Sequence, residues 1–208
     1  MNSQARIELL DYLSPGFLHG MCNALFKIQG QAQLLGAGGA GDLAAAGPGI
    51  MAACHEATEA VEIYRLILDP ELPSEPVAAG PLLRDVVQLV RGRMQEEGVQ
   101  VAWDEALESL TYAVRRRDLV LPVVTAMHRF STALPTGFEG KLTVSAWWDA
   151  GLGVELNLEP PKDCLPFEVD LADAIRDASD SFAGSEARVV AKESGLGITI
   201  EIPTGAIA

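Results

Sequence analysis

The run His19-Gly-Met-Cys-Asn-Ala-Leu-Phe-Lys-Ile-Gln-Gly-Gln-Ala-Gln-Leu-Leu35 constrains this chain more than any other stretch. Leu18, Met21, Cys22, Leu25, Ile28, Ala32 and Leu35 recur at threes and fours. That spacing is an apolar stripe on a helix, which must be buried against another element. His19 and Asn23 are four apart, so both side chains fall on one face. They lie beside the stripe rather than within it, where an imidazole is reachable from solvent.

The surrounding pattern predicts a helical hairpin. Residues from about Ser3 to Leu13 form a first helix, and Ser14-Pro15-Gly16 reads as a break and a new start. The main helix runs from about Phe17 to Leu35. After the Gly-rich connection at 36–41, a second helical pattern runs from about Gly49 to Leu68 and stops at Asp69-Pro70. Two long helices joined by a short loop form an antiparallel pair. Each retains a second apolar side, so a second copy is expected to complete a four-helix bundle.

Pro70 to Gly80 is proline-rich and aperiodic, which reads as a linker between a unit at 1–70 and another at 81–208. The second unit is mixed. A helix runs from Pro81 to Glu97 and closes at Gly98, and a strand follows from Val99 to Trp103. Asp118 is a candidate cap for a helix reaching about Leu134, with Pro122 tolerated in its first turn. Lys141 to Trp148 and Leu152 to Leu158 alternate around Asp149-Ala-Gly151, a hairpin signal. A helix over about 170–182 and strands near 187–192 and 197–203 complete the order. The expected fold class is α+β: the hairpin, then a helical layer on one face of a mostly antiparallel sheet.

Size and charge narrow the functions. The 208 residues are 49% hydrophobic, enough for a buried core. Fifteen basic against 29 acidic residues leave a net charge of −14, which disfavours nucleic acid and anionic membrane as partners. The first residues lack a leader pattern, and no apolar run approaches 18 residues, so a cytoplasmic location is expected. Cys22, Cys54 and Cys164 lack metal-ligand spacing and read as reduced, mostly buried thiols.

A helix carrying His-x-x-x-Asn-x-Leu-x-x-Ile-x-Gly-x-Ala-x-Leu-Leu, followed by an α/β unit, resembles the core of a sensor histidine kinase. The helix Val124-Thr-Ala-Met-His-Arg-Phe-Ser-Thr-Ala133 resembles the kinase helix that carries an asparagine for magnesium and ATP, with Arg129 in its place. The Asp-x-Gly-x-Gly element that reads adenine is missing, since Glu159-Pro-Pro-Lys-Asp163 follows the hairpin. The lid is missing too, and Gly195-Leu-Gly197 reads as a turn. Within that superfamily the chain is similar to cytoplasmic histidine phosphotransferases of the degraded-kinase type, the ChpT-like proteins.

That resemblance implies a dimeric phosphorelay protein with a degenerate ATPase-like second unit and no cofactor. Its partners would be receiver domains, which bring the acceptor aspartate and the divalent metal. His19 would be the phosphoryl carrier and Asn23 a hydrogen-bond donor to phosphoryl oxygens or to an attacking water. Phe17, Leu18, Met21 and Ala24 would help form the docking face. The family usually has an acidic residue directly after the histidine; this chain has Gly20, whose other role would be close helix approach. Transfer is then slower, or a carboxylate elsewhere assists.

Three alternatives stay open. His19 alone is compatible with an ordinary surface residue. His55-Glu56 is a second histidine with an acidic neighbour, expected near the bundle seam. His128 reads as a core or surface residue of the second unit, Trp103, Trp147 and Trp148 as core or edge fillers, and Arg115 to Arg117 as a solvated turn. In function, the competitor to phosphotransfer is a pseudokinase that docks without chemistry; an ATP-dependent kinase is disfavoured by the missing motifs.

Overall fold

The computed structural model describes residues 3–37, 43–73, 75–135, 137–149, 151–159, 188–191 and 197–203. The first helix, α1, spans Ser3–Ala37 without interruption, and α2 spans Leu43–Leu68. The expected break at Pro15 does not occur. Proline removes one hydrogen bond from a helix interior, yet Leu9, Tyr12 and Leu13 before it are buried in the core and Phe17 after it packs there. Packing on both sides holds the chain in register, and the Ser14 hydroxyl donates to the Leu10 carbonyl at 2.6 Å. Helix α2 likewise begins before Pro48 rather than at Gly49.

Cross-helix pairs fix the hairpin as antiparallel. Lys27 Nζ meets Glu56 Oε2 at 2.6 Å, Phe17 stacks on Tyr64 with centroids 4.6 Å apart, and Arg6 donates to the Leu68 carbonyl at 3.2 Å. The apolar positions of α1 divide in two. Ala24 is buried, with Met21, Ile28 and Leu35 half-buried, whereas Leu18, Cys22, Leu25, Phe26 and Ala32 are exposed. Periodicity registers both sides as one stripe; only one of them meets α2.

The expected linker is partly structured. Pro76–Ala78 forms β1 and pairs antiparallel with β3, Ala113–Arg115, a short ribbon with too few residues to show a period. Helix α3 spans Ala79–Glu96, two residues earlier than expected, which leaves Pro81 within the first turn where no N–H is missed. Gly98 then takes φ +85° against the Phe138 carbonyl, a close approach that only glycine allows there. Strand β2, Val99–Trp103, leads to a 3-10 turn at Glu105–Ser109 capped by Asp104.

Helix α4 spans Arg116–Ala133 with Arg115 at its N-cap. Asp118 therefore sits inside the first turn, buried, and is not the cap. Pro122 lies in the helix interior, beyond the first turn, and is buried among the core residues that hold this segment helical. The hairpin is β4, Gly140–Trp148, with β5, Gly151–Glu159; β6 is Arg188–Ala191 and β7 Gly197–Pro203.

The five-stranded sheet has the order β2-β4-β5-β7-β6. Only the β2–β4 pair is parallel. Leu142 and Val144, then Leu152, Val154, Leu156 and Leu158, then Ile198, Ile200 and Ile202 alternate onto one buried face, as strand geometry requires. Helices α3 and α4 contribute to the same core, and so do Ala60, Ile63, Leu66 and Ile67 of α2. The α+β expectation holds: the described residues form four helices and a mostly antiparallel sheet. The base of the helical hairpin is built into this core, and its upper part carries the exposed Leu25, Phe26, Leu34 and Met51. The expected helix over 170–182, Cys164, Lys192 and Gly195 lie outside the described residues.

Candidate functional site

His19 is exposed on α1, and Asn23, one turn on, donates from Nδ2 to its Nε2 at 2.9 Å. Because that Asn nitrogen is a donor only, Nε2 is the acceptor and the ring proton resides on Nδ1. The bond thus orients the ring and engages the Nε2 lone pair.

What surrounds the pair is set by α3. At Gly16 the two helices touch so closely that a Cβ would lie 1.7 Å from the Leu89 carbonyl oxygen. One turn further along α1 the space opens: nothing lies within 4 Å of a Cβ built on Gly20. Close helix approach is therefore the role of Gly16, not of Gly20. The helices diverge from that contact to enclose a cleft of about 820 Å³ lined by His19, Asn23, Lys27, Glu56, Arg84 and Asp85, among others.

The cleft holds charge of both signs. Lys27 is paired with Glu56 across the hairpin, and Arg84 approaches Asp85 at 3.4 Å. Burial raises the Asp85 carboxyl above the ordinary carboxylate range, opposed by the neighbouring Arg84. Arg84 and Asp85 were not foreseen from the sequence. They stand on an ordinary amphipathic helix more than sixty positions from His19, and the packing of α3 on α1, tightest at Gly16 and Leu89, brings that helix to the histidine.

The four docking residues separate. Leu18 is 61% exposed and Met21 half-buried, but Phe17 stacks on Tyr64 and Ala24 is only 1% exposed inside the hairpin. Ala24 is thus removed from any docking face, because it faces α2. Exposed Leu25 and Phe26 stand beside Leu18 instead.

His55 is exposed rather than enclosed in a seam, and Cys22 and Cys54 are exposed free thiols rather than buried ones. Each faces away from the α1–α2 contact. Arg116 is no solvated turn residue: it pairs with both carboxylate oxygens of Glu59, one bond at 2.9 Å, with side chains 15% and 14% exposed. The bond holds the Glu59 carboxyl below the usual range. Arg117 approaches Asp118 at 3.7 Å.

On the second unit, His128 is half-buried, meets Tyr12 edge-on at 5.0 Å, and has its pKa lowered by burial and by Arg129. Arg129 is half-buried, with its Nε buried and unbonded. Trp103 lies near Arg91, Trp148 stacks on Tyr112 at 4.0 Å, and Trp147 covers Gly153.

No family model matches the chain, and no curated protein matches it. Solved histidine kinases are similar to it in structure. The Acinetobacter baumannii histidine kinase AdeS is 13% identical with a TM-score of 0.44, covering 89% of this chain and 97% of that one. The cytoplasmic segment of histidine kinase QseC is 14% identical with a TM-score of 0.41, covering 70% and 91%. The histidine kinase domain of the blue-light activated kinase EL346 of Erythrobacter litoralis is 15% identical with a TM-score of 0.41, covering 99% and 98%. Similarity at this level carries no activity and no residue's role across to this chain. No helix among the described residues is long and apolar enough to cross a membrane.

Proposed function

We propose that this chain is a histidine phosphotransfer protein of a two-component phosphorelay, passing phosphoryl groups between His19 and receiver-domain aspartates. The observation that carries the reading is the exposed His19 whose ring Asn23 orients at Nε2; release of that bond, with the Asn23 amide turning to a phosphoryl oxygen, frees the Nε2 lone pair for attack. A neutral imidazole nitrogen is the nucleophile such a transfer needs, and positioning supplies most of the catalysis. Residues 1–70 are the dimerisation and phosphotransfer unit in this reading, and 81–208 a degenerate ATPase-like unit. The receiver supplies the divalent metal, and Leu18 and Met21 contribute to its docking face.

A homodimer belongs to the same proposal. Leu25 and Phe26 leave an apolar face on α1 that no other described residue covers, and a second hairpin buries it as a four-helix bundle. The test is incubation with a phosphorylated cognate receiver. Label on His19 supports the reading, and an unlabelled wild type rules it out.

Gly20 favours a second reading, a pseudokinase scaffold that docks on a two-component partner without chemistry, since no acidic residue follows His19. A His19→Ala chain that retained full activity in cells would decide for it.

A further inference from the structure

Gly20 leaves the position after the histidine without a carboxylate, and open space surrounds it. The register of α1 against α3 shows what stands opposite. Tyr12 is coupled electrostatically to Arg93 and Glu97 near the end of α3, and Gly16 touches Leu89. The two helices therefore run antiparallel, and one further turn along α1, at His19 and Gly20, corresponds to one turn back along α3, at Arg84 and Asp85. All of these residues except Tyr12, Arg93 and Glu97 line the cleft that contains the histidine.

Three carboxylates line that cleft. Glu56 is engaged with Lys27 at 2.6 Å, and Glu96 with Arg93 at 3.5 Å near the far end of α3. Asp85, paired with Arg84 at 3.4 Å, is the one placed opposite Gly20.

From this placement the geometry points to Asp85 as the positioning residue of the His19 site, supplying from α3 the carboxylate that position 20 lacks. The inference rests on the phosphotransfer reading for its chemistry. As His19 Nε2 forms its bond to phosphorus, the phosphorus–oxygen bond to the receiver aspartate breaks and that aspartate leaves as carboxylate. The Nδ1 proton of the resulting imidazolium passes to the Asp85 carboxylate, directly or through one water, and returns in the reverse transfer. The upward shift of Asp85 by burial makes it a better proton acceptor than an exposed carboxylate. The charged groups that act on Asp85 are Arg84 beside it, Glu59 and His55 on α2 and Arg116 on α4, while His19 and Lys27 share the cleft wall of α1.

The experiment compares the ring nitrogen chemical shifts of the histidines of the full chain by NMR at one pH, wild type against Asp85→Asn, Asp85→Glu and His55→Gln. Asp85→Asn is expected to move the His19 ring nitrogen shifts. Asp85→Glu retains the wild-type shifts, and His55→Gln leaves the His19 signals where they were. Unchanged His19 signals in Asp85→Asn, or a change confined to His55, overturn the inference. Neutralising a half-buried charge is not expected to unfold the chain, and circular dichroism checks this.

The readout does not depend on transfer. If His19 shifts while the wild type takes no label from a receiver, the phosphotransfer reading fails and the pairing stands. If the wild type is labelled, Asp85→Asn is expected to slow labelling by roughly 10- to 100-fold. Adding Gly20→Glu to that variant recovers part of the loss. An Asp85→Asn chain labelled at the wild-type rate over the whole pH range overturns the inference and leaves the reading intact.

Discussion

Gly16 and Gly20 sit one turn apart on α1 in opposite surroundings, and substitution separates them. Gly16→Ala places a methyl against the Leu89 carbonyl and is expected to cost about 1–3 kcal/mol or more through forced separation of the helices. Gly20→Ala meets nothing and removes the backbone entropy of a mid-helix glycine, so it is expected to stabilise by up to about 1 kcal/mol. Denaturant midpoints measured side by side check both signs. From sequence the two look alike, because what distinguishes them is the carbonyl of a residue more than seventy positions away. His19 and Asn23 were legible, because their contact lies within one turn of one helix.

His128 gives a pH signature. Its folded pKa is lowered, so the unfolded chain binds the proton more readily. Its contribution to stability is complete above the ordinary histidine pKa of about 6.5 and is lost as the pH falls from there through the lowered folded value. Thermal midpoints between neutral pH and about pH 5 should fall less steeply for His128→Phe than for wild type. The half-buried Glu59 loses its share further down, below the ordinary carboxylate range, and Asp85, shifted upward, acts in the opposite sense.

Among the elements, α1 and α2 carry the candidate site and α4 fastens it. The bidentate pair of Arg116 with Glu59 ties the hairpin to the second unit. Glu59→Gln leaves an arginine with half its partner, and a loss of about 1.5–3 kcal/mol in unfolding free energy is expected. The exposed face of α1 carries a prediction of its own under the dimer proposal. Leu25→Glu places charges in the bundle centre and should convert a dimer to a monomer in sedimentation equilibrium; an unchanged mass would mean that another face is used. Strand alternation and helical period made β2, β4, β5, β7, α3 and α4 legible to within a few residues. The β1–β3 ribbon was not, because three-residue strands show no period. Nor was the continuity of α1, since local rules end a helix at Pro15 and tertiary packing overrides them.

For the whole molecule, a single core joins the base of the hairpin to the sheet and its helices, and this is what places α3 opposite His19. Periodicity could identify the faces that must be buried; it could not say which element buries each. The cleft with Lys27, Glu56, Arg84 and Asp85 is a product of that assembly and has no local signature. The helix that carries Arg129 and the hairpin strands were readable from period and alternation, while residues 160–187 and 192–196 lie outside the described residues.

The central claim is that His19 carries the phosphoryl group. The most direct measurement is site mapping by mass spectrometry of the full chain after incubation with a phosphorylated receiver, with the bond tested for lability in acid and stability in base. The account predicts one acid-labile phosphoryl group on His19, absent from His19→Gln. Label that survives in His19→Gln, or that maps to His55, would contradict it.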